Sequence, residues 1–242
     1  MKYAILADIH ANLLALEAVL ADILARGGVD EYWCLGDIVG YGPNPSECIE
    51  IAQTYGFVSI AGNHDWAAIG KIDIQEFNWE AAAAIRWTRK QLKQEDIRFL
   101  ENLPQRIEKD NFTLAHGSPR EPIWEYILSS FTAEENLIHF KTPYCLVGHS
   151  HLPLLFECND HCSFSEILPG TEIYLGDKRL IINPGSVGQP RDNDPRASYT
   201  LCNNNLRTVT LYRVEYDLRG VQAKMVQAGL PERLISRLTN GT

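Results

Sequence analysis

Basic charge is scarce in this 242-residue sequence: 22 Lys and Arg stand against 31 Asp and Glu, a formal charge of −9 at pH 7. A broad cationic face that captures nucleic acid through counterion release is therefore not expected, and any phosphate ligand must be neutralised locally. Cysteine is sparse as well. Cys34, Cys48, Cys145, Cys158, Cys162 and Cys202 are too few and too scattered for a disulfide scaffold, which predicts mostly reduced thiols and a cytoplasmic setting. Long apolar runs are missing too. The first run meets Asp8 before a signal-peptide core can accumulate, and Glu17 and Asp22 interrupt the most apolar helix, so neither export nor a membrane span is expected. Internal repeats and low-complexity stretches are absent. With 45% hydrophobic and 22% charged residues the composition is that of an ordinary globular chain. Its length favours one domain over residues 1–242.

The chain begins as strand, loop and helix. Tyr3 to Ala7 is a short apolar run, and Leu13, Leu16, Leu20, Ile23 and Leu24 then recur at helical spacing until Gly27-Gly28 ends the pattern. Further strands are predicted at Tyr32 to Leu35, Phe57 to Ala61, Phe112 to Ala115 and Tyr144 to Val147, with a helix from Cys48 to Tyr55. Such alternation predicts a parallel sheet covered on both faces. Asn78 to Leu103 reads as helical, with Asn78 as N-cap, so a helical excursion or cap is expected at about 66–104. Short helical stretches are expected near Pro122 to Leu128 and Ala133 to Phe140. Beyond residue 152, five short β-prone runs predict a second, antiparallel sheet, closed by helices between Gly220 and Leu238.

Five strand-like runs end in side chains that can bind metal: Asp8 and His10, Asp37, Asn63 and His64, His116, then His149 and His151. Sites in open α/β sheets form outside the carboxyl ends of strands, so these widely separated loops can converge on one crevice. Five of the seven histidines fall in these clusters, and His139 and His161 do not. Imidazole, carboxylate and amide donors without thiolate suit manganese, iron, zinc or nickel rather than a structural zinc. Seven donors are too many for one tetrahedral ion, whereas two ions sharing a carboxylate would use them all. Asp37, alone between flanking pairs, is the natural bridge.

The set of Asp8-x-His10, Gly36-Asp37, Gly62-Asn63-His64-Asp65, His116 and Gly148-His149-Ser150-His151 resembles the calcineurin-like metallophosphoesterases, in the right order across residues 1–190. The segments Asp37 to Pro45 and Asn183 to Arg191 are similar to the bacterial and archaeal branch of YfcE-like phosphodiesterases and diadenosine tetraphosphatase-like proteins. The resemblance implies a four-layer α/β/β/α sandwich with two facing mixed sheets and a metal site at the carboxyl ends of the strands. It further implies one ion on Asp8, His10, Asp37 and His151 and a second on Asp37, Asn63, His116 and His149. Two such ions, about 3.5–4 Å apart, clamp a phosphate and activate a bridging hydroxide for in-line attack. The implied reaction is metal-dependent hydrolysis of a phosphodiester or small phosphate ester, with manganese the first choice of ion. His64 is then placed to protonate the leaving oxygen or steady the equatorial oxygens, and Asp65 to orient that imidazole. Two divalent cations would also offset four of the nine negative charges.

Asn12, Arg120 and Arg191 are further substrate-binding candidates, although Asn12 also fits as an N-cap and the arginines as surface ion pairs. Trp66, Phe77, Trp79, Trp87 and Trp124 could form a stacking platform for a base, with packing of the helical excursion on the sheet as the commoner outcome. Cys158, His161 and Cys162 lack a fourth ligand for a zinc knuckle. The expected partner is a small phosphate ester or nucleotide, with no membrane. Rival readings are an asymmetric diadenosine tetraphosphate hydrolase and a catalytically silent metal-binding scaffold for protein partners. The sequence leaves the oligomeric state open.

Overall fold

A computed structural model describes residues 1–242. The first part of the chain alternates β1 (Lys2–Leu6), α1 (Leu13–Ala25), β2 (Glu31–Cys34), α2 (Pro45–Thr54), β3 (Val58–Ser59) and α3 (Asn63–Ala68). Then come α4 (Trp79–Gln91) and α5 (Gln94–Glu101), followed by β4 (Arg106–Lys109), β5 (Phe112–Ala115), α6 (Ser130–Asn136) and β6 (Tyr144–Leu146). The remainder comprises β7 (Pro153–Cys158), β8 (Cys162–Glu166), β9 (Glu172–Tyr174), β10 (Arg179–Pro184), β11 (Ala197–Asn203), β12 (Thr208–Val214), α7 (Leu218–Gln227) and α8 (Glu232–Asn240). No helix is long and apolar enough to cross a membrane.

Two six-stranded sheets result, ordered β3-β2-β1-β11-β12-β9 and β4-β5-β6-β10-β7-β8. Both are mixed: β1 runs parallel to β2 and antiparallel to β11, and β10 runs parallel to β6 and antiparallel to β7. The strands beyond residue 152 therefore do not make a separate antiparallel sheet. They extend both sheets, because β11 pairs with the first strand of the chain from Lys2↔Asn203 to Ile5↔Thr200. Period-two alternation sorts the core. On β1, Tyr3 and Ile5 point between the sheets, where they join Trp33, Phe112, Leu146 and Leu211, while Ala4 and Leu6 point outward to Leu16, Val19 and Ile49 under α1 and α2. The outer face of the second sheet, with Cys145, Phe156 and Ile181, is covered by Ala133 of α6 and by Ile127. The layers are thus helix, sheet, sheet and helix.

Local chemistry explains the boundaries. Asn12 caps α1 by accepting from the Ala15 N–H at 3.2 Å, and Asn78 caps α4 by accepting from the Ala81 N–H at 2.9 Å. α2 begins at Pro45, three residues before the helix expected from apolar spacing, because Pro suits the first helical position. The helical stretch from Asn78 divides at Leu92, whose backbone is extended. The expected helix at Pro122 to Leu128 is instead a turn and irregular chain. Two strands escape the apolar pattern: β4 reads Arg-Ile-Glu-Lys, and β8 is exposed at four of its five positions. Cys158 and Cys162 stand opposite each other across the β7–β8 hairpin and are disulfide-bonded, the exception to an expectation of mostly reduced thiols. The other four cysteines are free and buried.

Candidate metal centre

The parallel strands β1, β2 and β3 of one sheet and β5 and β6 of the other release their carboxyl ends toward one another. The Gly148 N–H donates to the His116 carbonyl, the Asp8 N–H to the Gly36 carbonyl and the His149 N–H to Asp8 Oδ2 at 3.0 Å. All seven expected donors are buried and converge there. Asp8, His10 and His151 form one group with ligand atoms within 4.8 Å, as do Asp37, His116 and His149. Asp37 Oδ2 lies between them, 3.7 Å from His10 Nε2 and 3.4 Å from His116 Nε2, and has no hydrogen-bond partner. Asn63 Oδ1 lies 3.1 Å from His116 Nε2.

The outer contacts of the imidazoles decide what this arrangement accepts. His10 Nδ1 faces the Val39 carbonyl at 3.1 Å, His116 Nδ1 the Leu35 carbonyl at 2.8 Å, His149 Nε2 the Trp124 carbonyl at 3.2 Å and His151 Nδ1 the Gln189 carbonyl at 2.6 Å. A carbonyl can only accept, so each of these nitrogens carries a proton, and in the neutral form of the ring the inner nitrogen presents a lone pair. His10 Nε2 and His151 Nε2 then face each other at 3.1 Å, lone pair to lone pair, with Asp8 Oδ1 at 3.9 and 3.5 Å. Acceptors crowded this way in a buried space suit a cation between them, the contact otherwise calling for a shared proton. Burial holds His10, His149 and His151 well below the usual imidazole range, which leaves them neutral as ligands must be, whereas at His116 burial is outweighed by Asp37 and Asp8, which lift the ring to about 9, a proton that a bound ion would displace. Burial opposes ionisation of Asp37, but His116, His64 and His10 outweigh it and keep its carboxyl well below the usual range. Burial, reinforced by Asp37 and opposed by His116, pushes Asp8 up to about 7. These residues fit a pair of hard-to-borderline divalent ions sharing Asp37.

Backbone strain gathers at the same atoms. Asp8, His10, Asp37, His149 and His151 all have positive φ, between 49° and 65°, a region that residues with a Cβ seldom occupy. Strain of about 1–3 kcal/mol per residue persists only where the surroundings over-determine it, as at a ligand site.

His64 differs from the other four imidazoles. No backbone carbonyl holds its ring, its Nδ1 has no partner, and burial pushes it down to about 4. It lies against Tyr41 and Phe77, with ring centroids 4.3 and 5.0 Å away, and lines a cavity of about 100 Å³ over the donors. Asp65 does not orient that imidazole as expected. Its oxygens accept from the backbone N–H groups of Asp37, Val39 and Gly62 at 2.8, 3.1 and 3.0 Å. It thereby ties the Asp37 loop to the start of α3.

Of the three substrate-binding candidates, only Arg191 lines the cleft. Asn12 spends its side chain on the α1 cap and on the Gly188 carbonyl at 2.9 Å. Arg120 is committed to ion pairs with Glu125 and Glu135. Phe77 and Trp124 reach the cleft, whereas Trp66 and Trp87 belong to hydrophobic clusters and Trp79 is exposed. Tyr126 escaped the sequence reading. It stacks on His149 at 3.9 Å, and its place in an irregular stretch left no periodic signal.

The calcineurin-like phosphoesterase superfamily domain matches residues 1–205. The chain belongs to that superfamily. The uncharacterized protein MJ0912 of Methanocaldococcus jannaschii is 41% identical over 244 residues, covering 98% of this chain and 97% of that protein. A metallophosphoesterase structure from Sphaerobacter thermophilus is 46% identical, covers 100% of this chain and 99% of its own, and superposes with a TM-score of 0.91. The hypothetical protein PH1004 of Pyrococcus horikoshii OT3 shares the fold, with a TM-score of 0.82 at 24% identity over 100% of this chain and 98% of that one. Membership in this metal-dependent superfamily agrees with the His and Asp groups gathered at the strand ends.

Proposed function

We propose that this calcineurin-like phosphoesterase hydrolyses a phosphodiester or another small phosphate ester with two divalent cations, manganese being the first choice, in the cytoplasm. The observation that carries the reading is the 3.1 Å approach of two lone-pair nitrogens, His10 Nε2 and His151 Nε2, beside the buried carboxylates. Asp8, His10, Asp37 and His151 would hold one ion, and Asp37, Asn63, His116 and His149 the other. When bound, such a pair supplies positive charge to a phosphate and lowers the pKa of water toward neutrality, which makes a nucleophile available for in-line attack.

The chain's own groups do the rest. His64, neutral and free of backbone anchors, steadies the phosphoryl and leaving oxygens by donating an N–H hydrogen bond to them. Arg191 presents its guanidinium to the same cleft, held by the Gln189 side-chain oxygen at 3.1 Å. Phe77, Trp124 and Tyr126 wall the cavity and limit water beside the reacting phosphorus. Chelator-treated protein assayed on bis-p-nitrophenyl phosphate tests this reading. Hydrolysis should vanish with the chelator and return with manganese. Full activity in chelator after metal removal would refute it.

A further inference from the structure

Next to the metal-competent cleft lies a second cavity of about 250 Å³, which shares Tyr41, Asn78, Tyr126 and Arg191 with it. Its far wall is α8. Leu234 and Leu238 of this helix are buried against Tyr41, Ala81 and Ala84, and that anchoring turns Arg233 and Arg237, four residues apart, into the cavity. Three guanidiniums, those of Arg191, Arg233 and Arg237, thus line one small space in a chain of net charge −9. The opposing charge there is slight. Glu80 sits 3.3 Å from Arg233, Arg237 Nε donates to the Thr242 carbonyl, and Glu76 lines only the neighbouring cleft. Arg191 Nε is buried without a partner. Burial, with repulsion from Arg191, lowers the Arg237 guanidinium to about 10, and of the acidic side chains only Glu80 shares the cavity with the three like charges.

We propose that Arg191, Arg233 and Arg237 form a receptor for a second phosphoryl group, so that the preferred substrate carries one beyond the phosphorus at the metal-competent cleft. The inference rests on the phosphoesterase reading, because it takes the adjoining cleft as the seat of the scissile phosphate. Guanidinium forks match tetrahedral oxyanions in geometry as well as charge. Arg191, on the wall between the two cavities, can reach both phosphoryl groups. Such a substrate is either a nucleotide with a phosphoanhydride or a polyphosphate without a nucleoside.

Equilibrium dialysis of the manganese-loaded protein, in excess manganese, against orthophosphate, AMP, and methylenediphosphonate and α,β-methylene-ADP as the non-hydrolysable forms of pyrophosphate and ADP tests the receptor without cleavage of the diphosphate link. Methylenediphosphonate or α,β-methylene-ADP should bind at least about tenfold tighter than the counterpart one phosphoryl shorter, the scale of one charge-assisted hydrogen bond. A gain with both pairs supports the receptor with a nucleotide or a bare polyphosphate as its source. A gain with α,β-methylene-ADP alone supports it with a nucleotide as the source. Arg233→Gln/Arg237→Gln should erase the gain, leaving orthophosphate affinity and kcat/KM on bis-p-nitrophenyl phosphate within about twofold. Arg233→Gln alone, at a side chain 82% exposed, should remove part of it. A gain that survives in the double variant, or no gain in the wild type, would overturn the proposal. Failure of the wild type to hydrolyse the diester would count instead against the phosphoesterase reading.

Discussion

Five buried imidazoles share one cleft, and their outer hydrogen bonds separate their tasks. Four are pinned to backbone carbonyls in the manner of metal ligands, and His64 is not. His64→Ala should therefore keep its metal while turnover falls by about 10²–10³-fold, as removal of one preorganised hydrogen-bond donor to developing charge does. Asp37→Ala should lose metal at both positions, read by metal analysis of the same preparations. Near-wild-type turnover in His64→Ala would show that the unanchored ring does not stabilise the transition state. Asp65 belongs with the scaffold: its two oxygens serve three backbone N–H groups, and Asn in its place would turn an amide N–H against them. Asp65→Asn should lower stability by about 1–3 kcal/mol, measured by urea unfolding.

The loops that carry the donors are fixed by the elements around them. Asn12 begins α1 and also clasps the Gly188 carbonyl, so that one side chain sets the distance between the His10 loop and the loop after β10. Asn12→Ala should cost about 0.5–2 kcal/mol from the lost cap, seen as a lower denaturant midpoint. Gly40 serves a similar end. Its φ is +91°, and a Cβ there would meet His64 Nδ1 at 2.5 Å, so the residue keeps room for that ring. Much of this was legible in the sequence. The apolar runs before Asp8, Asp37 and His149 mark strands β1, β2 and β6, and convergence at their carboxyl ends follows from α/β topology. Other features were not legible, for physical reasons. Edge strands β4 and β8 bury little and carry no apolar period. The pairing of β11 with β1 is a contact across some 200 residues that local pattern does not encode. The cap at Asn12 and the ion pairs of Arg120 were among the readings the sequence left open, whereas the task of Asp65 rests on backbone N–H groups, to which residue type gives no clue.

Taken whole, the molecule holds an acidic, metal-competent centre between two sheets and braces it with polar networks away from the cleft. One brace is Glu125, which accepts from Ser118 Oγ at 2.6 Å and from Asn136 at 2.9 Å and pairs with Arg120, next to the His116 loop. Burial opposes its ionisation, but Arg120, Asn136 and Ser118 hold its carboxyl down to about 2, from 4.5. Its contribution to stability is therefore complete above pH 4.5 and is lost as the pH falls toward 2. Glu125→Gln should melt below the wild type at neutral pH, and the difference in Tm should close across that acid range. The account as a whole depends on one property, that donors from five strand ends act together on a pair of cations. Titration of chelator-stripped protein with manganese, followed by metal analysis of the chain freed of unbound ion, tests this most directly. The account predicts saturation at about two ions per chain, with phosphodiester hydrolysis rising in step. A chain that binds no manganese, or one that hydrolyses the diester fully before any is added, would contradict it.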